Sequence, residues 1–325
     1  MPETATATMR AAILARPGTI EMTSDAALPE PAAGQLRIRL EGSGVCASNL
    51  SPWQGQPWFE YPFPAGAPGH EGWGVVDGIG DAVDDFEIGD RVAFLSSHAY
   101  AEFDLADSAQ VAKLPAALDG QPFPGEPLGC AMNIFRRSRI EPGQTVAIVG
   151  VGFLGALLTR LATQAGARVI GISRRTYSLE VARSMGAAET IAMDDHARII
   201  EQVSDLTGGN LCDRVIEAVG QQWPLDLAAE ITRERGTLVI AGYHQDGARQ
   251  VDMQLWNWRG LDVINAHERD PRIYLRGMRE AIEAVATGRL EPSSLYTPYP
   301  LDRLDDALNA TRDRPDGFIK ALVMA

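Results

Sequence analysis

No stretch of the 325-residue chain approaches the roughly 20 consecutive apolar residues a membrane-crossing helix requires. A secretory leader is likewise not expected: Met1–Thr8 has no apolar core, so residues 1–8 read as a loose extension before Met9-Arg10-Ala11-Ala12. Cysteine is scarce. Cys46, Cys130 and Cys212 are the only three, too far apart for a disulfide framework, which suits a reducing cytoplasm. Basic residues are outnumbered, 29 Lys+Arg against 43 Asp+Glu, for a net charge of -14. Bulk electrostatics would repel nucleic acid, so that partner class is set aside. What remains, 45% hydrophobic and 22% charged residues, is ordinary globular composition. At roughly 150 residues per domain the length predicts two domains, each able to bury a core.

The chain changes character along its length. Residues 9–120 hold short apolar runs between Gly- and Pro-rich turns. Leu36–Leu40, Gly74–Val76 and Arg91–Phe94 read as strands, while Trp53–Trp58 and Tyr61–Pro68 read as loop. From about residue 144, strand and helix alternate. Val146–Val149 is a continuous apolar run, as in a strand buried on both faces. A stripe of Leu154, Leu157, Leu158 and Leu161 predicts a helix after it, and Arg168–Ile172 a second strand. Ser178 is expected to cap the next helix and Gly186 to end it. Val215–Val219 and Thr237–Ala241 extend the series, so a doubly wound parallel sheet is expected. After about 267 the alternation stops. Arg272–Ala286 reads as helix, and Phe318–Val323 as a last strand that could return to the first domain.

The first strand–helix turn reads Gly150-Val-Gly152-Phe153-Leu154-Gly155. In a dinucleotide site the first glycine makes the turn, the second admits a pyrophosphate, and the third packs helix on strand. The helix N-terminus at Phe153-Leu154 would then offer N–H groups and a positive dipole end to the phosphates. Alone the pattern is weak; here it follows an apolar strand and opens an amphipathic helix. An NAD site usually carries an acid at the end of the next strand, but Ser173-Arg174-Arg175 stands there. A hydroxyl and two guanidiniums attract a 2′-phosphate, so NADP is expected over NAD; the alternative is arginines facing solvent and either cofactor accepted.

Three segments of the first half stand out: Gly44-Val45-Cys46-Ala47-Ser48-Asn49, Gly69-His70-Glu71-Gly72 and Leu128-Gly129-Cys130-Ala131. Together they supply two thiolates and one imidazole, enough for a catalytic zinc with an open fourth position. With Ile88-Gly-Asp-Arg-Val92 and the glycine loop, in this order, the chain resembles the zinc-dependent medium-chain alcohol dehydrogenases over nearly its whole length. The resemblance implies an α/β protein. A GroES-like, mostly-β catalytic domain (1–120 and 267–325) would be split around a Rossmann coenzyme domain (121–266). It implies that Cys46, His70 and Cys130 bind zinc, with Glu71 a nearby acid able to approach the metal. It implies a proton relay through Ser48, and a homodimer or homotetramer pairing coenzyme-domain strands near Leu261–Asn265. Many relatives carry a second, structural zinc on four cysteines; with only Cys212 left over, one metal per chain is expected. Cys212 itself reads as packing. Asn49 replaces an acid expected beside the zinc histidine, and would accept from the imidazole without adding charge. Ala47 cannot supply the basic pyrophosphate contact often found there, and Lys320 is expected to compensate.

The reaction expected is reversible oxidation of an alcohol to its carbonyl by hydride transfer with NADP(H), the substrate a secondary alcohol, polyol or sugar-like compound. Trp53, Trp58 and Phe59 either line the substrate pocket or belong to the core. His267 either falls near the nicotinamide or sits on a surface turn. Two rivals stand: a zinc-free quinone- or enoyl-type reductase of the same fold, and a non-catalytic NADPH-binding protein.

Overall fold

The computed structural model describes residues 7–325. The expected N-terminal extension lies mostly outside the described residues, and its last member, Thr8, already opens a strand. The chain forms two compact units: one runs to Gly129 and resumes at Asp270–Ala325, and the other is Cys130–Arg269.

In the first unit β1 (Thr8–Arg16) and β2 (Thr19–Ala27) make an antiparallel hairpin. β3 (Gln35–Gly44) follows, then the single helical turn α1 (Leu50–Trp53) and β4 (Glu71–Ile79). Strands β5 (Arg91–Phe94), β6 (Phe103–Asp107) and β7 (Val111–Lys113) complete this half. In β3, Leu36, Ile38 and Leu40 are buried while Arg37 and Arg39 between them are not, the two-residue period of a strand with one face in a core. Their partners in that core are Val76, Val92 and Phe94. α2 (Gly125–Ser138) then carries the chain into the second unit.

The second unit is the alternating series: β8 (Thr145–Val149), α3 (Phe153–Gln164), β9 (Arg168–Ser173), α4 (Thr176–Ser184) and β10 (Glu189–Ala192). It continues with α5 (His196–Leu206), β11 (Cys212–Glu217), α6 (Gln222–Glu230), β12 (Thr232–Ile240), α7 (Met253–Arg259) and β13 (Asp262–Asn265). The six strands are parallel in the order β10-β9-β8-β11-β12-β13, so the direction of winding reverses between β8 and β11. In such sheets ligands bind at the carboxyl ends of the strands flanking that reversal. Val146–Val149 is fully buried, as its unbroken apolar run requires.

Two local expectations are corrected. Ser178 does not cap α4; it lies inside the helix, buried, and its hydroxyl accepts from Arg175 Nη2 at 2.8 Å. The strand expected at Val215–Val219 runs instead from Cys212 to Glu217, because the Glu217 carboxylate takes the N–H groups of Val219 and Gly220 and turns the chain there. Cys212 packs in the core, and burial, with Asp213 adding to it, pushes its thiol up to about 12.

The tail returns to the first unit through α8 (Pro271–Ala286), β14 (Tyr296–Pro300), α9 (Leu304–Asp313) and β15 (Lys320–Met324). β15 pairs antiparallel with β3 and parallel with β14. Among the described residues, no helix is long and apolar enough to cross a membrane.

Candidate active site

In the first unit, Cys46, His70 and Glu71 bring a sulfur, a ring nitrogen and a carboxylate oxygen within 4.8 Å of one another. Strand register does this. Cys46 follows the end of β3, His70 and Glu71 stand at the start of β4, and Gly44 of β3 lies opposite Glu71. His70 Nδ1 lies 3.2 Å from the Pro68 carbonyl, a partner that can hold an Nδ1–H and leave Nε2 for a metal. Burial pushes the ring toward neutrality, but the hydrogen bond and charge of Cys46, aided by Glu126 and Glu71, outweigh it and raise the pKa to about 10. In the metal-free chain a bound ion must therefore displace a proton. A sulfur and an imidazole beside a carboxylate suit zinc. Cys130, expected as a further ligand, stands on α2 in the second unit, and the group of three does not include it.

Asn49 does not accept from His70. Its Oδ1 is occupied by Cys46 N at 3.0 Å and by the Tyr100 hydroxyl at 2.9 Å, while its Nδ2 donates to Pro68 O at 2.9 Å. An amide can fill both roles; a carboxylate would repel the Pro68 carbonyl. Tyr100 is a member of this site that no motif announced. Its hydroxyl is held well above the usual range by burial, and further by Glu71 and Cys46, so it remains a donor. Ser48 lies half-buried on the short turn after Cys46.

Lys320 is where the sequence reading misplaced a charge. Its side chain is 6% exposed, and its Nζ donates to Val45 O at 3.1 Å and to Glu71 Oε1 at 2.7 Å, with Glu71 Oε2 at 2.5 Å. It is engaged by a buried carboxylate, so its ammonium is spent there rather than offered to a pyrophosphate. The reason is Gly44. β3 runs between β4 and β15, Gly44 is paired with Glu71 on one side and Leu322 on the other, and a Cβ there would overlap Glu71 Oε2. Without that Cβ, carboxylate and ammonium meet across the strand.

Trp53 belongs to the core: 4% exposed, it packs with Leu14, Tyr100, Leu308 and Phe318, because the turn of α1 points the indole inward. Trp58, by contrast, is 58% exposed. Phe59 is half-buried, and its ring lies 6.0 Å from that of Trp58.

In the second unit the three glycines act differently. Gly150 has φ +101 and a Cβ there would overlap Val219; Gly152 faces open space; a Cβ on Gly155 would overlap Gly150 O. α3 begins at Phe153-Leu154, directly after Gly152, which is its N-cap residue. At the end of β9, Ser173 is buried, Arg174 is exposed, and Arg175 is tied to Ser178. His267 is exposed beyond β13 and stacks on Tyr243, ring centres 5.4 Å apart. Burial, with Arg269 adding, lowers its pKa, which keeps the ring neutral. A groove of about 760 Å³ lies at the opposite ends of these strands, lined by Arg168, Arg233 and Arg259 among others. Arg168 and Arg259 are spent on the carbonyls ending α5 and α6, a capping role, so this groove does not compete as the dinucleotide site.

Two family models match the chain: "Alcohol dehydrogenase GroES-like domain" over residues 32–125 and "Zinc-binding dehydrogenase" over residues 154–285. An alcohol dehydrogenase of Rhizobium meliloti is 28% identical over 72% of this chain and 77% of that protein. A sorbitol dehydrogenase of Halalkalibacterium halodurans is 25% identical over 87% of this chain and 91% of that protein. A solved structure described as a zinc-binding dehydrogenase from Sinorhizobium meliloti bound to NADP superposes with TM-score 0.84 at 25% identity, covering 98% of this chain and 99% of that one. With both of its units matched by these models, the chain belongs to the zinc-dependent medium-chain dehydrogenase family.

Proposed function

We propose that this NAD(P)-dependent alcohol dehydrogenase interconverts a secondary, polyol or sugar-like alcohol and its carbonyl, using NADP(H) in preference to NAD(H) and one zinc per chain. The observation that carries the reading is the convergence of Cys46, His70 and Glu71 ligand atoms within 4.8 Å. Cys46 and His70, with Cys130, are the residues we assign to the zinc. Zinc in such a donor set supplies Lewis acidity, which lowers the pKa of an alcohol oxygen. A nicotinamide dinucleotide supplies the hydride acceptor or donor. Ser48, half-buried beside Cys46, takes the alcohol proton and passes it to solvent. In the first unit Trp58 offers an exposed ring to a carbon-rich substrate face; Trp53, enclosed in the core, is withdrawn from that role. Cysteines as few and as widely separated as Cys46, Cys130 and Cys212 suit a reducing compartment.

NADP preference rests on Arg174, the exposed guanidinium at the end of β9, with Ser173 beside it; Arg175 braces α4 through Ser178. A charge-assisted contact contributes about 1.5–3 kcal/mol. Arg174→Ala should therefore raise KM for NADP by about tenfold or more and leave that for NAD unchanged. The assay is a ketone and polyol screen followed at 340 nm with each cofactor. Wild-type preference for NAD, or an unchanged NADP response in the variant, would overturn this assignment.

β13 is one of the two edge strands of the six-stranded sheet and carries exposed Val263, so we assign it as the place where a second copy continues the sheet. Ala266 N bonds Ile240 O, so by alternation the N–H of Val263 faces the open edge. Val263→Pro removes that edge N–H and should convert the oligomer to monomer in sedimentation velocity. An unshifted sedimentation coefficient would count against this edge.

A further inference from the structure

The second unit holds a buried polar chain at the carboxyl ends of β11 and β12 that no motif announced. Glu217, the last residue of β11, is fully buried. Its Oε1 accepts from Val219 N at 2.7 Å and Gly220 N at 2.8 Å, and its backbone carbonyl accepts from Ala241 N and Gly242 N, both at 2.8 Å. One residue thus ties together the loops that follow two neighbouring strands. Its Oε2 lies 3.1 Å from His244 Nε2. Arg249 Nε donates to His244 Nδ1 at 2.9 Å, and Arg249 Nη2 donates to Gly220 O at 2.9 Å while also pairing with Asp246. A guanidinium N–H can only donate, so Nδ1 is the acceptor and Nε2 carries the proton given to Glu217. The Gln222 side-chain amide bonds the backbone of Gln250 twice, Nε2 donating to its carbonyl at 2.8 Å and Oε1 accepting from its N–H at 2.9 Å, closing the same two loops together.

These loops border the dinucleotide turn. Ala218 N bonds Val149 O at 2.8 Å, and Val219 is the side chain that leaves no room for a Cβ on Gly150. β8 and β11 flank the reversal of winding, where one mononucleotide half of a bound dinucleotide lies over β8–β10 and the other over β11–β13. Ser173 ends β9 and Arg174 follows it, which assigns the 2′-phosphorylated adenosine to the first half and the nicotinamide to the second.

Resting on the dinucleotide reading above, we infer that His244 is a positioning residue for the nicotinamide half. Braced by Arg249, it holds the Glu217 carboxylate, and that carboxylate sets the two loops against which the nicotinamide half binds. It touches no substrate and transfers no proton. Its loss relaxes one half of the site and leaves the other in place.

The test is calorimetric titration of the intact protein with two probes: NADPH, and 2′,5′-ADP, which reports the adenosine half alone. His244→Ala should weaken NADPH by about tenfold or more, the loss of a hydrogen bond to a buried charge, with 2′,5′-ADP unchanged. His244→Gln, whose amide can donate to Glu217 and accept from Arg249, should restore NADPH binding toward wild type. Equal weakening of both probes, or of neither, overturns the inference, as does a glutamine variant no better than alanine. Wild-type protein that binds neither probe overturns the dinucleotide reading itself.

Discussion

Cys46→Ser is expected to cost alcohol oxidation on the order of a thousand-fold in kcat/KM, and the bound zinc with it. A serine hydroxyl does not ionise at neutral pH and is a poor ligand for a borderline-soft ion. Lewis-acid stabilisation amounts to several kcal/mol, and each ~1.4 kcal/mol is a decade of rate. The position of this side chain does not depend on the sulfur: the backbone Cys46 N is held by Asn49 Oδ1 at 3.0 Å, a contact that serine leaves in place. The loss should therefore appear as missing chemistry and missing metal, with secondary structure and melting behaviour of the metal-free protein close to wild type. Metal analysis and steady-state kinetics on one preparation decide it. Active wild-type protein with well under one equivalent of zinc, or a serine variant that turns over normally, would favour the zinc-free reductase of the same fold.

Lys320→Met is expected to destabilise the metal-free protein by about 3–5 kcal/mol, because it strands the fully buried Glu71 carboxylate. The pair is not an independent source of that stability. Removing both charges with apolar groups of similar volume is often neutral. Lys320→Met combined with Glu71→Met should recover most of the loss, and Lys320→Arg should lose less than Lys320→Met. Urea unfolding of wild type, Lys320→Met, Glu71→Met and the double variant gives the cycle directly, with Lys320→Arg measured beside them. A cost under about 1 kcal/mol for Lys320→Met would mean that this ammonium does not hold Glu71.

Much of the site could be read from short stretches of chain. Gly150, Gly152 and Gly155 lie within six residues, and each answers a local geometric demand: a left-handed turn, an open approach, a close packing. The alternation of strand and helix after residue 144 was legible because a strand buried on both faces must be apolar throughout. Cys46, His70 and Glu71 were legible as types at the right places, and the strand register brings them together. The partners of those groups were not legible. Glu71 and Lys320 are 249 residues apart, and only the pairing of β3 with both β4 and β15 puts them on either side of Gly44. Asn49 looked like a neutral substitute for an acid because its neighbours Tyr100 and Pro68 come from other segments. Trp53 looked available because nothing local says that the turn at Leu50–Trp53 points it into the core.

By itself the amino-acid sequence determined the two-unit plan, the parallel order of winding, the glycine turn and the residue types able to hold a metal. The winding and the glycine turn follow from periodicity and spacing along the chain, the division into two from its length, and the residue types from three separate short segments. Tertiary structure alone decided how charge is used: that Lys320 neutralises Glu71 instead of reaching for phosphate, that Asn49 serves Cys46 and Pro68, and that Glu217 and His244 bind two loops into one surface. Those choices depend on burial, which makes an unpaired charge costly, and burial arises only when distant strands are laid side by side.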